Sequence, residues 1–380
     1  MTPRTLMAAL AGCLLLTTGA AAADPYPTRT VTMVVPYAAG GATDVVARAI
    51  AEKLTTAWKQ PVVVDNRAGA GTTIAARAVA QAPADGYTLF MTTSAHTISG
   101  HLYPGLSYDP VKDFAPITLV TKVPLVLVVN PDVPAKTLPD FITWLDKEGG
   151  KVNFASPGIG TAQHLSGELF KIATKSGITH VPYKGDAPAL TDLMGGQVQM
   201  MLATATAVIP LIESGKLRAL AVANSRRLTA LPQVPTFAEA GMKDFEAATW
   251  FGLLAPAAIK PDLVQQIYKD VSKIVAEPEM QKRLEQLGGD VINSTPQAFA
   301  AFMVEENKNW GAAAKASGVF WKQEREFLRQ ARAWTLELLL DIQGEILNAD
   351  RACKTSGSPD QLISERLALM IAGRARRLGL

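Results

Sequence analysis

Three short polar segments of the chain carry the residue types of a small anion site. They are PYAAGGATD at 36–44, TTSAH at 92–96 and SPGIGT at 156–161. Glycine lets the backbone turn tightly and brings bare N–H groups close to a ligand, and hydroxyl groups add further donors. A helix that begins at such a turn contributes positive partial charge. Together the segments predict a seat for one compact carboxylate.

A purely structural reading of these segments stays open. Gly40 and Gly41 could simply make a turn while Thr43 or Asp44 caps the next helix, and the serines and threonines elsewhere could also act as caps. Asp44 favours a compact ligand, because a negative charge at the mouth would repel a large polyanion. The turn has no G-x-x-x-x-G-K-[ST] or G-x-G-x-x-G pattern, which argues against a nucleotide.

The surrounding sequence alternates short β-branched runs with helical patterns, which is typical of βαβ units and a largely parallel sheet. The first predicted elements are strands at 31–35, 62–64 and 88–91 and helices at 44–58 and 73–81. Each polar segment follows a predicted strand, and ligands of open α/β sheets bind at the carboxyl ends of strands. We therefore expect the segments to share one cleft.

Two lobes are expected because 380 residues exceed the length typical of one domain. Two long apolar runs, at 116–130 and 217–222, are the candidate strands that cross between the lobes. The chain is predicted to leave the first lobe near residue 125 and to return near residue 224. The predicted first lobe is discontinuous, at 24–124 and 225–318, and the second lobe covers 125–224.

The N-terminus has the pattern of a cleaved secretory signal over residues 1–23. Arg4 precedes an apolar run at 6–16 that is too short to span a bilayer, and small residues follow it. Cys13 fits a lipoprotein-processing pattern, but the apolar run continues past it, so lipidation stays open. The exported chain would keep Cys353 alone, so no internal disulfide is expected.

The composition narrows the class of protein. With 48% hydrophobic residues, 19% charged residues and a net charge of +3, the chain is typical of a soluble globular protein, and no nucleic-acid partner is expected. A hydrolase is the less favoured alternative, because there is no G-x-S-x-G and the pairs Ser94 with His96 and Ser156 with His164 lack a third member. No metal-ligand spacing occurs, so neither a metal nor a cofactor is expected.

Seven motifs occur in order along the chain. They are VVPYAAGGATD at 34–44, DNRAGAG at 65–71, DGYTL at 85–89, DFAPI at 113–117, SPGIGT at 156–161, HVPYKG at 180–185 and GKLRALAV at 215–222. Through these motifs, residues 26–318 resemble the Bug family of periplasmic receptors that serve tripartite tricarboxylate transporters.

The resemblance implies an α/β fold of the two-lobed periplasmic-binding-protein type (type II-like) with a hinge, and a ligand carboxylate held mainly by backbone amides and hydroxyls. The ligand-binding positions that it implies are Ala39, Gly40, Gly41, Ala42, Asp44, Thr92, Thr93 and Ser94 in the first lobe and Ser156, Gly158, Gly160, Thr161, His164 and Lys184 in the second. The expected protein is a periplasmic monomer that captures a mono-, di- or tricarboxylate and passes it to the membrane permease subunits of such a transporter. A sensor that reports the ligand to a membrane kinase is the alternative.

The chain departs from the family in two places. Family members often carry acids where this chain has Gln199 and Ala203, and since an acid would favour a ligand amine, a plain carboxylic acid is expected rather than an amino acid. Residues 319–380 form a helical pattern that matches nothing in the family. A helical hairpin packed on a lobe, a helix that binds a partner, and a fused or out-of-frame segment are equally open for this tail.

Overall fold

A computed structural model describes residues 26–103 and 105–316 of the chain. The predicted signal peptide at 1–23 and the predicted tail at 319–380 lie outside the described residues. No helix within the described part has the length and apolar character needed to cross a bilayer.

Ten strands of the described residues join in one curled sheet, in the order β2-β1-β3-β9-β4-β7-β5-β6, with β8 and β10 also paired to β4. The strands are β1 (Val31–Val35), β2 (Val62–Asn66), β3 (Thr88–Thr93), β4 (Phe114–Val129), β5 (Asn153–Ser156), β6 (Thr179–Pro182), β7 (Met200–Thr204), β8 (Arg218–Val222), β9 (Ala248–Pro256) and β10 (Asp290–Val291). The predicted strands at 31–35, 62–64, 88–91, 116–130 and 217–222 are confirmed.

Helices cover the faces of this sheet. They are α1 (Ala42–Trp58), α2 (Thr73–Ala80), α3 (Ala95–Leu102), α4 (Leu138–Glu148), α5 (Ala162–Thr174), α6 (Asp186–Met194), α7 (Ala205–Glu213), α8 (Pro261–Val275), α9 (Pro278–Gln286) and α10 (Pro296–Ala316). The polar segments lie at the ends of β1, β3 and β5, and α1 and α3 begin within the first two segments while α5 begins directly after the third. The βαβ order therefore brings each polar segment to a strand end and a helix start.

The sheet divides between the two lobes. In the first lobe β1 pairs in parallel with β2 and β3, and in the second lobe β5 pairs in parallel with β6 and β7. The strands at the junction, β4 and β9, are antiparallel to their neighbours. The sheet is thus mixed, and the expectation of a largely parallel sheet was wrong for the junction, where the chain passes from one lobe to the other and back.

Strand β4 is long enough to belong to both lobes. Its first part pairs with β9, and Leu125–Val129 at its end pair with β7 in the second lobe. The chain returns through β9, while Phe237 and Phe245 still pack with the second-lobe core. The lobe boundaries stay a prediction, and this packing favours a return near residue 247 rather than 224.

Helix α5 packs very closely on β5. The ring of Phe154, which is fully buried, occupies the space that a Cβ atom at Gly167 would need. Glycine is normally unfavourable inside a helix by about 1 kcal/mol relative to alanine. Its presence here keeps α5 and β5 in contact and so holds the 157–161 loop that joins them.

We predict that Gly167→Ala lowers the free energy of unfolding by about 1–3 kcal/mol, because the new methyl group overpacks Phe154. The control is Gly195→Ala at the end of α6, where the backbone has φ −80° and a Cβ would make only ordinary contacts at 3.4 Å or more. Urea denaturation should show a change within about 0.5 kcal/mol for this control. Equal effects of the two substitutions would contradict the close packing.

Candidate ligand-binding cleft

The polar segments of the first lobe meet at the edge of the sheet. The hydroxyl groups of Tyr37 and Thr93 lie 3.0 Å apart, which joins the loop after β1 to the end of β3. The second lobe contacts this edge directly, since the amide of Ala38 donates to the carbonyl of Lys184 at 3.0 Å. Tyr103 also donates from its hydroxyl to the carbonyl of Ile159 at 3.3 Å. The two lobes are therefore closed on each other.

A small cavity lies at this junction. It has a volume of about 160 Å³ and is lined from both lobes by residues that include Tyr37, Gly71, Tyr103, Gly158 and Lys184. A larger groove of about 730 Å³, between residues 224–230 and 281–293, contains none of the predicted site residues. We regard the smaller cavity as the cleft because both lobes line it and because two of the predicted site residues, Gly158 and Lys184, are part of its lining.

Along the loop before α1, backbone amides that donate a hydrogen bond alternate with amides that have no acceptor within the described residues. Gly40 donates to the Asp44 carboxylate at 2.8 Å and Ala42 donates to the Asp186 carboxylate at 3.2 Å. The amides of Ala39 and Gly41 make no hydrogen bond within the described residues. Gly40 has φ +83°, a conformation that favours glycine, whereas Gly41 is extended and forms the N-cap of α1 without any side-chain cap. This loop therefore presents two amides at a helix start.

Asp44 is part of the framework of that loop. Its carboxylate accepts hydrogen bonds from Gly40, from Arg48 at 2.8 Å and from Asn66 at 3.0 Å. Burial disfavours the charged form, but these hydrogen bonds outweigh burial and lower the pKa of Asp44 below its usual value. Because Arg48 compensates its charge, Asp44 does not act as the repelling charge at the mouth that the sequence suggested. Its direct contact with a ligand stays a prediction.

The second segment divides between two faces of the sheet. Alternation along β3 puts Thr92 on the face of Phe90, opposite Thr93. The hydroxyl of Thr92 is buried without a partner in the described residues. Ser94 lies 3.0 Å from the hydroxyl of Thr249 on the returning strand. The structure therefore places Thr93 beside Tyr37 at the cleft and Ser94 beside Thr249 on β9, while Thr92 lies on the other face of the sheet from Thr93.

The third segment is held by its own hydrogen bonds. Thr161 caps α5, accepting from the amide of His164 at 3.2 Å and donating to the carbonyl of Gly158 at 2.8 Å. Ser156 lies 2.6 Å from Nε2 of His180, and Gly160 donates to Nδ1 of His164 at 3.2 Å. The loop is thus fixed in shape before any ligand arrives.

The surroundings of Ser156, His164 and His180 bear on whether this segment could support hydrolysis or bind a metal. The imidazoles of His164 and His180 stack with centroids 3.9 Å apart. Ser156 contacts His180 rather than the His164 considered from sequence, and Ser156 is fully buried, so its hydroxyl is poorly placed to attack a substrate. Among the described residues no group of three or more His, Cys, Asp or Glu side chains could hold a metal ion.

Sequence reasoning missed Asp186, the first residue of α6. It lies in the second lobe, directly after the HVPYKG motif, and reaches across the junction to the amide of Ala42. Burial raises the pKa of its carboxyl to about 6, partly offset by the hydrogen bond from Ala42. An acid at a helix start beside a recognised motif was the signal that could have found it.

The structure also shows what surrounds Gln199 and Ala203, the two positions at which this chain lacks an acid. Ala203 is buried in the apolar core, and Gln199 accepts a hydrogen bond from the amide of Asn153 at 2.9 Å. Neither position supplies a polar group to the junction, but Asp186 does. The preference for a plain carboxylic acid, which rested on Gln199 and Ala203, therefore stays a prediction.

Because burial disfavours the charged carboxylate, Asp186 contributes most to stability below its unfolded pKa of about 4, and this contribution is lost as the pH rises through about 6. We predict that Asp186→Asn raises the free energy of unfolding by about 1–3 kcal/mol at pH 7.5 and by much less at pH 4.5, measured by urea denaturation. Tyr37 does not contribute in this range, because burial raises its pKa. Asp192→Asn removes the same charge from the same helix and serves as the control. A gain that does not depend on pH would contradict the prediction.

Known proteins share this architecture. The model of the tripartite tricarboxylate transporter family receptor matches residues 46–319. The periplasmic binding protein BugD is 37% identical, with a TM-score of 0.75 over 77% of this chain and 99% of that chain. An R. palustris protein solved with adipate is 36% identical, with a TM-score of 0.75 over 77% of this chain and 98% of that chain. MatC from Rhodopseudomonas palustris, solved with bound malate, is 35% identical, with a TM-score of 0.72 over 76% of this chain and 99% of that chain.

The family match begins in α1 and extends through the last described element, so it includes both lobes and the strands that join them. The solved structures agree with it over nearly their whole lengths. The resemblance to Bug proteins and the two-lobed fold that it implied are both confirmed. The chain belongs to the tripartite tricarboxylate transporter receptor family, among the periplasmic binding proteins of the Bug type.

Proposed function

We propose that this chain is a periplasmic receptor that captures a small carboxylate without chemical change and delivers it to the permease subunits of a tripartite tricarboxylate transporter. The observation that carries the proposal is the pair of amides at Ala39 and Gly41, which lie at the start of α1 and have no partner in the described residues. Backbone N–H groups at a helix start bind carboxylates through both hydrogen bonds and the helix dipole.

The structural neighbours support the class of ligand. Two of them were solved with dicarboxylates of different length, adipate and malate. The family match supports a transporter as the recipient, and secretion by the signal at 1–23 would bring the receptor to it. Hydrogen bonds to a charged group contribute about 1.5–3 kcal/mol each, so a few of them suffice without a metal or cofactor.

The proposed site combines donors from both lobes. Ala39 and Gly41 would hold one carboxylate, with Thr93 and Ser94 beside them. The fixed loop of the second lobe, with Lys184 next to it, would cover the ligand from the other side. The second-lobe residues of this proposal are Ser156, Gly158, Gly160, Thr161, His164 and Lys184.

We predict that Gly41→Val weakens binding of adipate or malate by about tenfold or more, because the branched side chain blocks the approach to the two amides. Gly41→Ala is the matched control. Its Cβ would lie 3.4 Å from Asp186, which is ordinary contact, so binding should stay within about threefold. Isothermal titration calorimetry measures both, and circular dichroism checks the fold. If the valine variant binds the ligand as tightly as the parent protein, this loop does not hold the carboxylate.

We also predict that the ligand compacts the protein, since donors on opposite lobes can contact one ligand only when the lobes close. Small-angle X-ray scattering with saturating ligand should show a smaller radius of gyration than without it. The Gly41→Val variant at the same ligand concentration should keep the ligand-free value. No change in the parent protein would argue against closure on the ligand.

A further inference from the structure

Asp186 lies at the wall of the proposed carboxylate seat. Its Oδ2 atom accepts from the amide of Ala42, the first residue of α1, and the same atom is 3.4 Å from the position of a Cβ at Gly41. Asp186 itself is the first residue of α6. The Asp186 carboxylate therefore lies at the N-terminus of α6, its own helix, and also at the N-terminus of α1, where the carboxylate site is proposed.

The other oxygen of this carboxylate has no hydrogen-bond partner in the part of the chain that the structure describes. Oδ1 of Asp186 is buried and makes no hydrogen bond within the described residues, and the whole residue is only 6% exposed. A buried carboxylate oxygen without a donor is unfavourable, and native proteins rarely leave one. A molecule bound in the cleft could supply the missing donor.

The neighbouring groups do not supply it. The Tyr37 hydroxyl is engaged with Thr93, the Asp44 carboxylate is compensated by Arg48, and the side chain of Lys184 belongs to an exposed residue. Burial raises the pKa of Asp186 to about 6, so the group is ionised at pH 7.5. A ligand that offers only its carboxylate would bring two negative charges together at the seat.

We propose that Asp186 is a specificity-determining residue, which accepts a hydrogen bond from a hydroxyl or ammonium group that the ligand carries beside its carboxylate. This inference rests on the proposed function and narrows its ligand class to hydroxy and amino acids. The carboxylate binds the amides of Ala39 and Gly41, and the adjacent donor satisfies Oδ1 of Asp186. Both carboxylates then accept hydrogen bonds in one closed cleft.

The test uses sets of three compounds with the same carbon skeleton. Each set contains an unsubstituted acid, its 2-hydroxy acid and its 2-amino acid, for example succinate, malate and aspartate, with both enantiomers of the chiral members. Sets based on propionate, succinate, glutarate and adipate cover a range of chain lengths. Calorimetric titration at pH 7.5 gives the affinity of each compound for the parent protein, for Asp186→Asn and for Asp192→Asn.

For the parent, we expect the hydroxy or amino member of the binding set to bind at least about tenfold more tightly than the unsubstituted acid. Asp186→Asn should reduce this ratio to within about threefold and leave the unsubstituted acid bound as tightly or more tightly. Asp192→Asn, on the same helix, should keep the parent ratio, because Asp192 accepts its hydrogen bond from Tyr183 at 2.7 Å and not from an amide of α1.

Two results would overturn the proposed role of Asp186 and leave the proposed function of the protein standing. One is the same ratio in the parent and in Asp186→Asn. The other is an equal gain for all three compounds in the variant, which would mean that Asp186 only competes with ligands for the amide of Ala42. Failure of every compound to bind the folded parent protein would overturn the proposed function together with this inference.

Discussion

The pairing of β4 with β9 is the constraint on which the rest of the structure depends. These two antiparallel strands carry the chain from the first lobe to the second and back, and their register runs from Phe114 opposite Pro256 to Pro124 opposite Ala248. Backbone hydrogen bonds hold this ribbon, so any movement of one lobe against the other must preserve it. Each loop of the cleft is fixed to one lobe, and the ribbon limits how the loops can approach each other.

The two sides of the cleft differ in how much of their hydrogen bonding is already complete. In the second lobe, Ser156, Thr161 and His164 are engaged with other groups of the same lobe. In the first lobe, the amides of Ala39 and Gly41 make no hydrogen bond to any residue that the structure describes. Because the second-lobe loop is already held by its own hydrogen bonds, few side chains must be immobilised when a ligand binds to these amides of the first lobe. The entropic cost of binding is therefore lower. Asp186 lies between the two sides, since one of its oxygens accepts from Ala42 and the other makes no hydrogen bond within the described residues.

Much of this arrangement is encoded locally and could be predicted. The strands β1, β2 and β3 follow from β-branched runs, and the loops at their ends follow from glycine, serine and threonine, because these signals depend on a few neighbouring residues. The antiparallel pairing at the junction, the packing of Phe237 and Phe245 on the second-lobe core and the opposite orientation of Thr92 depend on contacts between distant segments. Motif similarity could list Asp44, but only the position of Arg48 and Asn66 shows that its carboxylate is engaged. Asp186 was missed because its role arises from Ala42, which is 144 residues away.

The hydrogen bond between Asp186 and Ala42 joins the lobes directly, without a ligand atom between them, and this has a kinetic meaning. Ligand can enter only when the lobes are apart, so a contact that favours closure by itself lowers the fraction of receptors able to accept a molecule at any moment. The same contact, where it persists in the complex, also delays reopening and release. Residues that bridge the lobes therefore set how quickly the receptor loads and unloads, even where they leave the equilibrium affinity unchanged.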